Sequence, residues 1–233
     1  MAASIQSVGP TLIWRMDAPT VHAASTYPLV IKAKVPAFQY PGCGFDPRSW
    51  NKYVVQPAAW PRGASTCSPK QIINEFQKRH FTQAVAMVAC WGGMQRQAPA
   101  IWGSRTAQYL HNIEQTLSNC ADSITQSGSI QDAWKKLTGA LMWSAVITSK
   151  TLHFLARSLG FQQNPPVAID GARIREKAWP AFRQLIPWNQ CPQDWSGDSF
   201  EAYCRYTTAI ITWSNHRNWT TTEMEATIFA EYD

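Results

Sequence analysis

Charge is scarce in this chain: Asp, Glu, Lys and Arg together make up only 15% of its 233 residues. Other absences are sharper. The six cysteines, at 43, 67, 90, 120, 191 and 204, form no Cys-x-x-Cys pair, which excludes a zinc ribbon and an iron–sulfur loop. His22, His80, His111, His153 and His216 include no pair at the helical spacing of metal ligands, so no metal is expected. No Gly-x-Ser-x-Gly elbow and no glycine-rich loop ending in Gly-Lys-Ser/Thr occurs, and Gly92-Gly93 is too short a glycine signal to count. The longest apolar run, at about 139–147, is too short to span a bilayer. The N-terminus has no basic region followed by an apolar run. Scattered thiols fit a reducing compartment. The expectation is a cytoplasmic protein without cofactor or membrane segment, and a monomer.

Hydrophobic residues reach 45%, enough for a sizeable core, and twelve are tryptophan. At this length one large domain, or a domain with a smaller lobe, is expected. The net charge of +6 points to a polyanionic partner, because lysine and arginine displace the counterions of a phosphate chain. The cations are spread along the sequence, so folding must assemble the patch.

Residues 1–68 carry nine of the fifteen prolines if Pro69 is included, and they read as an arm of extended segments or short strands. Lys32, Lys34, Arg48 and Lys52 on this arm suit a grip on nucleic acid, or are ordinary solvated charges. From residue 69 to 233 the pattern is helical, so the fold class is mainly α. Ser68-Pro69-Lys70-Gln71 is a helix start, with serine as N-cap, proline at the first position and glutamine at the third. One helix is expected from there to about Cys90, followed by Trp91-Gly92-Gly93-Met94-Gln95-Arg96 as a turn. Further helices are expected from Ser104 to about Cys120 and from Ser129 to Leu137, with a loop at 123–128 between them. Another spans about 198–216, and Thr220-Thr221-Thr222-Glu223 is a capping box for a last helix ending near Glu231.

The stretch from Ser144 to Glu176 organises the rest. Lys150 reads as the start of a helix on which Leu152, Leu155, Ala156 and Leu159 form an inward stripe. Lys150, His153, Phe154 and Arg157 share the opposite side, a mixture of cations and an aromatic that suits phosphates and bases. Gly160 supplies the stop. Twenty residues after Lys150, Asp170 is placed as the N-cap of a basic helix carrying Arg173, Arg175 and Lys177. Taken alone, Lys150 reads as a solvated lysine.

The run Ile147-Thr148-Ser149-Lys150, an apolar helix, then Pro166-Val167-Ala168-Ile169-Asp170 and a basic helix, resembles the helix-hairpin-helix DNA glycosylase superfamily. Within it the likeness is to the 8-oxoguanine DNA glycosylase fold, including a bacterial defence-associated branch. The resemblance implies a helix-hairpin-helix at about 129–160, with Lys150 and Asp170 as the catalytic pair. It implies double-stranded DNA carrying a modified base as the partner and a nucleoid-associated location. Lys150 would attack the sugar and form a Schiff base with lyase activity, helped to stay neutral by burial and by Arg157 or His153. Asp170 would stabilise the oxocarbenium-like sugar. His153 and Phe154 would line the base pocket. Gln95 and Arg96 would fill the space of the extruded base. Ser149, Arg157, Arg173 and Arg175 would contact DNA.

Two departures bear on the substrate. The position four after Lys150 is small in the oxoguanine enzymes and here is Phe154, and their histidine two after the aspartate is here Ala172. Both favour a remodelled pocket for a bulky modified pyrimidine, such as glucosylated hydroxymethylcytosine of phage DNA, over 8-oxoguanine. A non-catalytic helix-hairpin-helix module and a helical interaction protein with a basic surface stand as alternatives.

Overall fold

The computed structural model describes residues 68–92, 107–161, 165–169 and 200–231. Among them every regular element is an α-helix and there is no strand, as the sequence periodicity predicts. In chain order these are α1 (Pro69–Gln77), α2 (Phe81–Trp91), α3 (Ala107–Ser127), α4 (Ile130–Ala140), α5 (Ala145–Ser158), α6 (Phe200–Arg217) and α7 (Thr221–Glu231). None of these helices is long and apolar enough to cross a membrane. The expected N-terminal arm and the basic helix after Asp170 lie outside the described residues.

Local chemistry explains where the helices begin. The Ser68 hydroxyl accepts from the Gln71 N–H at 3.3 Å, and the Gln71 side chain accepts from the Ser68 N–H at 2.9 Å. Thr220 and Glu223 make the same reciprocal box before α7. For α2 the cap is tertiary: Glu114 of α3 accepts from the Thr82 N–H and from its hydroxyl.

Three helices end alike. Arg79 after α1, Gly160 after α5 and Asn218 after α6 all take positive φ, at 60°, 93° and 55°. In each case the N–H of that residue and the N–H of the next one turn back to carbonyls of the last turn, closing a Schellman motif. The first of these is why the single helix expected over residues 68–90 is in fact two. Glu75 reinforces the break by accepting from Lys78 Nζ at 3.0 Å and His80 Nδ1 at 2.9 Å. Partial burial pushes the Glu75 carboxyl up, but these two partners outweigh it and hold its pKa below the ordinary value.

The loop expected at 123–128 is instead the last turns of α3. Thr125 and Ser127 donate to the carbonyls of Ala121 and Ser123 within the same helix, and Ile124 packs into the core. Gly128, at φ 66°, then turns the chain into α4. Residues 141–144 link α4 to α5, with Met142 87% exposed at φ 52°. Residues 130–158 thus form two helices, α4 and α5, which pack on each other.

Packing centres on α5. It contacts α1, α2, α3 and α4, and Ala145 together with residues 147–157 is buried. Trp134 of α4 stacks on Tyr203 of α6 with ring centroids 4.5 Å apart. Helix α7 packs on α6.

Candidate functional site

Because α5 is enclosed by other helices, its polar side chains cannot be satisfied by water. Ser149, Lys150 and His153 find partners in the protein, whereas the buried hydroxyls of Thr148 and Thr151 have none among the described residues. Lys150 lies in the second turn of α5, not at its start, and is 3% exposed. Its Nζ donates to the Gly92 carbonyl at 3.3 Å and stands 5.8 Å from the centre of the Trp91 ring. Both residues belong to the C-terminal end of α2, where unpaired carbonyls favour a cation. The Trp91 ring is itself fixed, edge-on to Phe154 at 5.0 Å.

Next to Lys150, the Ser149 hydroxyl donates to Val146 O and accepts from the Ile169 N–H, each at 3.0 Å. Two more side chains hold the same incoming segment, residues 165–169. His153 Nδ1 bonds the Pro166 carbonyl at 2.7 Å, and the Tyr203 hydroxyl donates to the Val167 carbonyl at 3.0 Å. A carbonyl only accepts, so the His153 proton sits on Nδ1, and Nε2 is left to accept from Arg157 at 3.4 Å. Three side chains from two helices therefore clamp the chain up to the residue before Asp170.

Electrostatics follow from the enclosure. Burial, assisted by the Arg157 cation and opposed by the Pro166 carbonyl, pulls the His153 pKa down to about 3. The imidazole is neutral at physiological pH. Burial also lowers the pKa of Arg157, an effect the Glu225 carboxylate opposes. The Tyr203 phenol is pushed well above its usual value, mainly by burial.

Several sequence expectations change here. The face carrying Lys150, His153, Phe154 and Arg157 is not an open nucleic-acid surface: all four are buried. Ser149 is fully buried and both its bonds go to backbone, so it anchors the 165–169 segment instead of touching DNA. Arg157 is likewise buried against His153, not placed for phosphate. His153 and Phe154 are buried among the described residues, one bonded to Pro166 and the other packed on Trp91. As a neutral group, His153 gives Lys150 no cationic repulsion. Asp170, Gln95, Arg96, Arg173 and Arg175 lie outside the described residues.

Sequence reasoning missed Trp91, Gly92 and Tyr203. A signal for the first two was present, since a glycine directly after an apolar helix often marks close approach of another group. Tyr203 had none, because its partner is a backbone carbonyl 36 residues away. Comparison of the chain with family models, curated proteins and solved structures gives no match.

Proposed function

We propose that this protein is a DNA glycosylase that excises a modified base, with Lys150 as nucleophile and Asp170 as the carboxylate that stabilises the sugar. The observation that carries this reading is the hydrogen bond between Ser149 and Ile169. It joins the immediate neighbours of two residues that lie twenty apart in sequence. Lys150 and Asp170 thus follow, each by one residue, two groups in direct contact. The Lys150 amine, held at the end of α2, is shielded from water, as a nucleophile on a flipped nucleotide needs to be.

In this mechanism a neutral Lys150 amine forms a bond to C1′ while the C1′–N bond breaks, and the base leaves with the electron pair and gains a proton. The sugar ring then opens to a Schiff base. Loss of a C2′ proton breaks the C3′–O bond and frees the phosphate. Asp170 balances the positive charge that builds on the sugar as the base departs.

For the substrate we favour a hypermodified pyrimidine of phage DNA, such as glucosylated hydroxymethylcytosine, in anti-phage defence. Phe154 and Trp91 fill the space beside Lys150, which disfavours the oxoguanine arrangement, in which a small residue stands there. Duplexes containing 8-oxoguanine and glucosylated phage DNA, incubated with the protein, separate the two by released base and abasic sites. Release of 8-oxoguanine alone contradicts the preference. The burial of Lys150 against a backbone carbonyl favours one competing reading, a DNA-binding module without catalysis. That reading predicts a salt-dependent shift of DNA with no release of base.

A further inference from the structure

Gly92 has no backbone reason to be glycine. The residues with positive φ among those described are Arg79, Gly128, Met142, Gly160 and Asn218, and Gly92 is not one of them. Its N–H donates to the Val88 carbonyl at 2.9 Å, so it simply continues the hydrogen bonding of α2, where alanine is the better residue. What glycine supplies is space. A Cβ built at this position would come 2.8 Å from Lys150 Nζ and 3.1 Å from its Cδ. The first distance is inside van der Waals contact, so something must move. The nearest group is the far end of a flexible side chain, which yields more readily than backbone; the Val88 carbonyl oxygen, at 3.3 Å, is the next group.

We infer, on the reading of Lys150 as the nucleophile, that Gly92 is its positioning residue: the carbonyl holds the amine, and the missing side chain leaves room for it to be held. The Trp91 ring lies 5.8 Å from the amine and packs edge-on to Phe154. In this resting arrangement the amine is engaged by a carbonyl and a ring face. A DNA substrate must therefore draw it off Gly92 before attack.

The consequence is a separation of stability from activity. In Gly92→Ala the added methyl displaces the amine but leaves the helix intact. The melting temperature should be unchanged or raised. The borohydride-trapped adduct should fall by about tenfold to a hundredfold, the upper figure being the order a misplacement of about an ångström can cost. A readout independent of DNA is the rate at which acetic anhydride acetylates Lys150 across a pH series, followed by mass spectrometry. Displaced from its carbonyl and from the ring, the amine should react severalfold faster in the variant.

Equal adduct yield and an equal acetylation profile in wild type and Gly92→Ala would overturn the inference. If wild type traps no DNA at all, the glycosylase reading fails, and the acetylation profiles alone decide the role of Gly92. If Gly92→Ala is destabilised, the double variant with Lys150→Ala decides. Restored stability locates the clash at the amine and supports the inference, and no restoration refutes it.

Discussion

His153 shows how the enclosure changes what a single residue does. Read from the sequence, it belonged to a cationic face over DNA. In the fold it is a neutral donor to Pro166, and its pKa of about 3 lies below the ordinary 6.5. As pH falls below 6.5 the unfolded chain takes up a proton that the folded chain refuses, so stability falls with acidity until the folded pKa is reached. Between about pH 7.5 and 5 this single group accounts for a loss of about 2 kcal/mol, measurable by urea unfolding. In His153→Gln that share of the pH dependence should disappear. Ser149→Ala removes the acceptor of the buried Ile169 N–H and should cost about 1–3 kcal/mol. It should also lower base excision, by loosening the segment that leads to Asp170. Unchanged stability in Ser149→Ala would show that the clamp does not hold this segment.

At the level of elements, the helix ends written in short-range chemistry were legible. Ser68, Gly160 and the Thr220–Glu223 box each stand where the sequence reading put them. The break at 78–80 was not, because an arginine takes the position that glycine usually marks. Nor was the length of α3, because serines and threonines that usually signal a loop bond back to their own helix. Gly160 sits at φ 93°, so Gly160→Ala should destabilise the fold by about 1–2 kcal/mol in equilibrium unfolding. The inward stripe of α5 was correct as far as it went: Leu152, Leu155 and Ala156 are buried. The polar side was misread for a physical reason. A polar residue is solvated or paired, and only partners distant in sequence, Gly92 and Pro166 here, decide which. The sequence reading singled out Lys150 but not the Trp91 and Gly92 that surround it.

For the whole molecule, the proposed function combined with the net charge of +6 predicts that binding to DNA weakens steeply with salt. The burial of Arg157 means that it is not among the cations responsible. Arg157→Gln should therefore destabilise the fold through His153 and Glu225 while leaving the salt dependence of DNA affinity unchanged. A slope shallower by about 0.9 would instead mark Arg157 as a phosphate contact. The central claim is that the amine of Lys150 attacks a deoxyribose. Borohydride trapping on DNA carrying a glucosylated pyrimidine, followed by peptide mapping of the adduct, tests it most directly. The account predicts one covalent adduct, located at Lys150 and absent from Lys150→Gln. An adduct on another residue, or base release by Lys150→Gln at the wild-type rate, would contradict it.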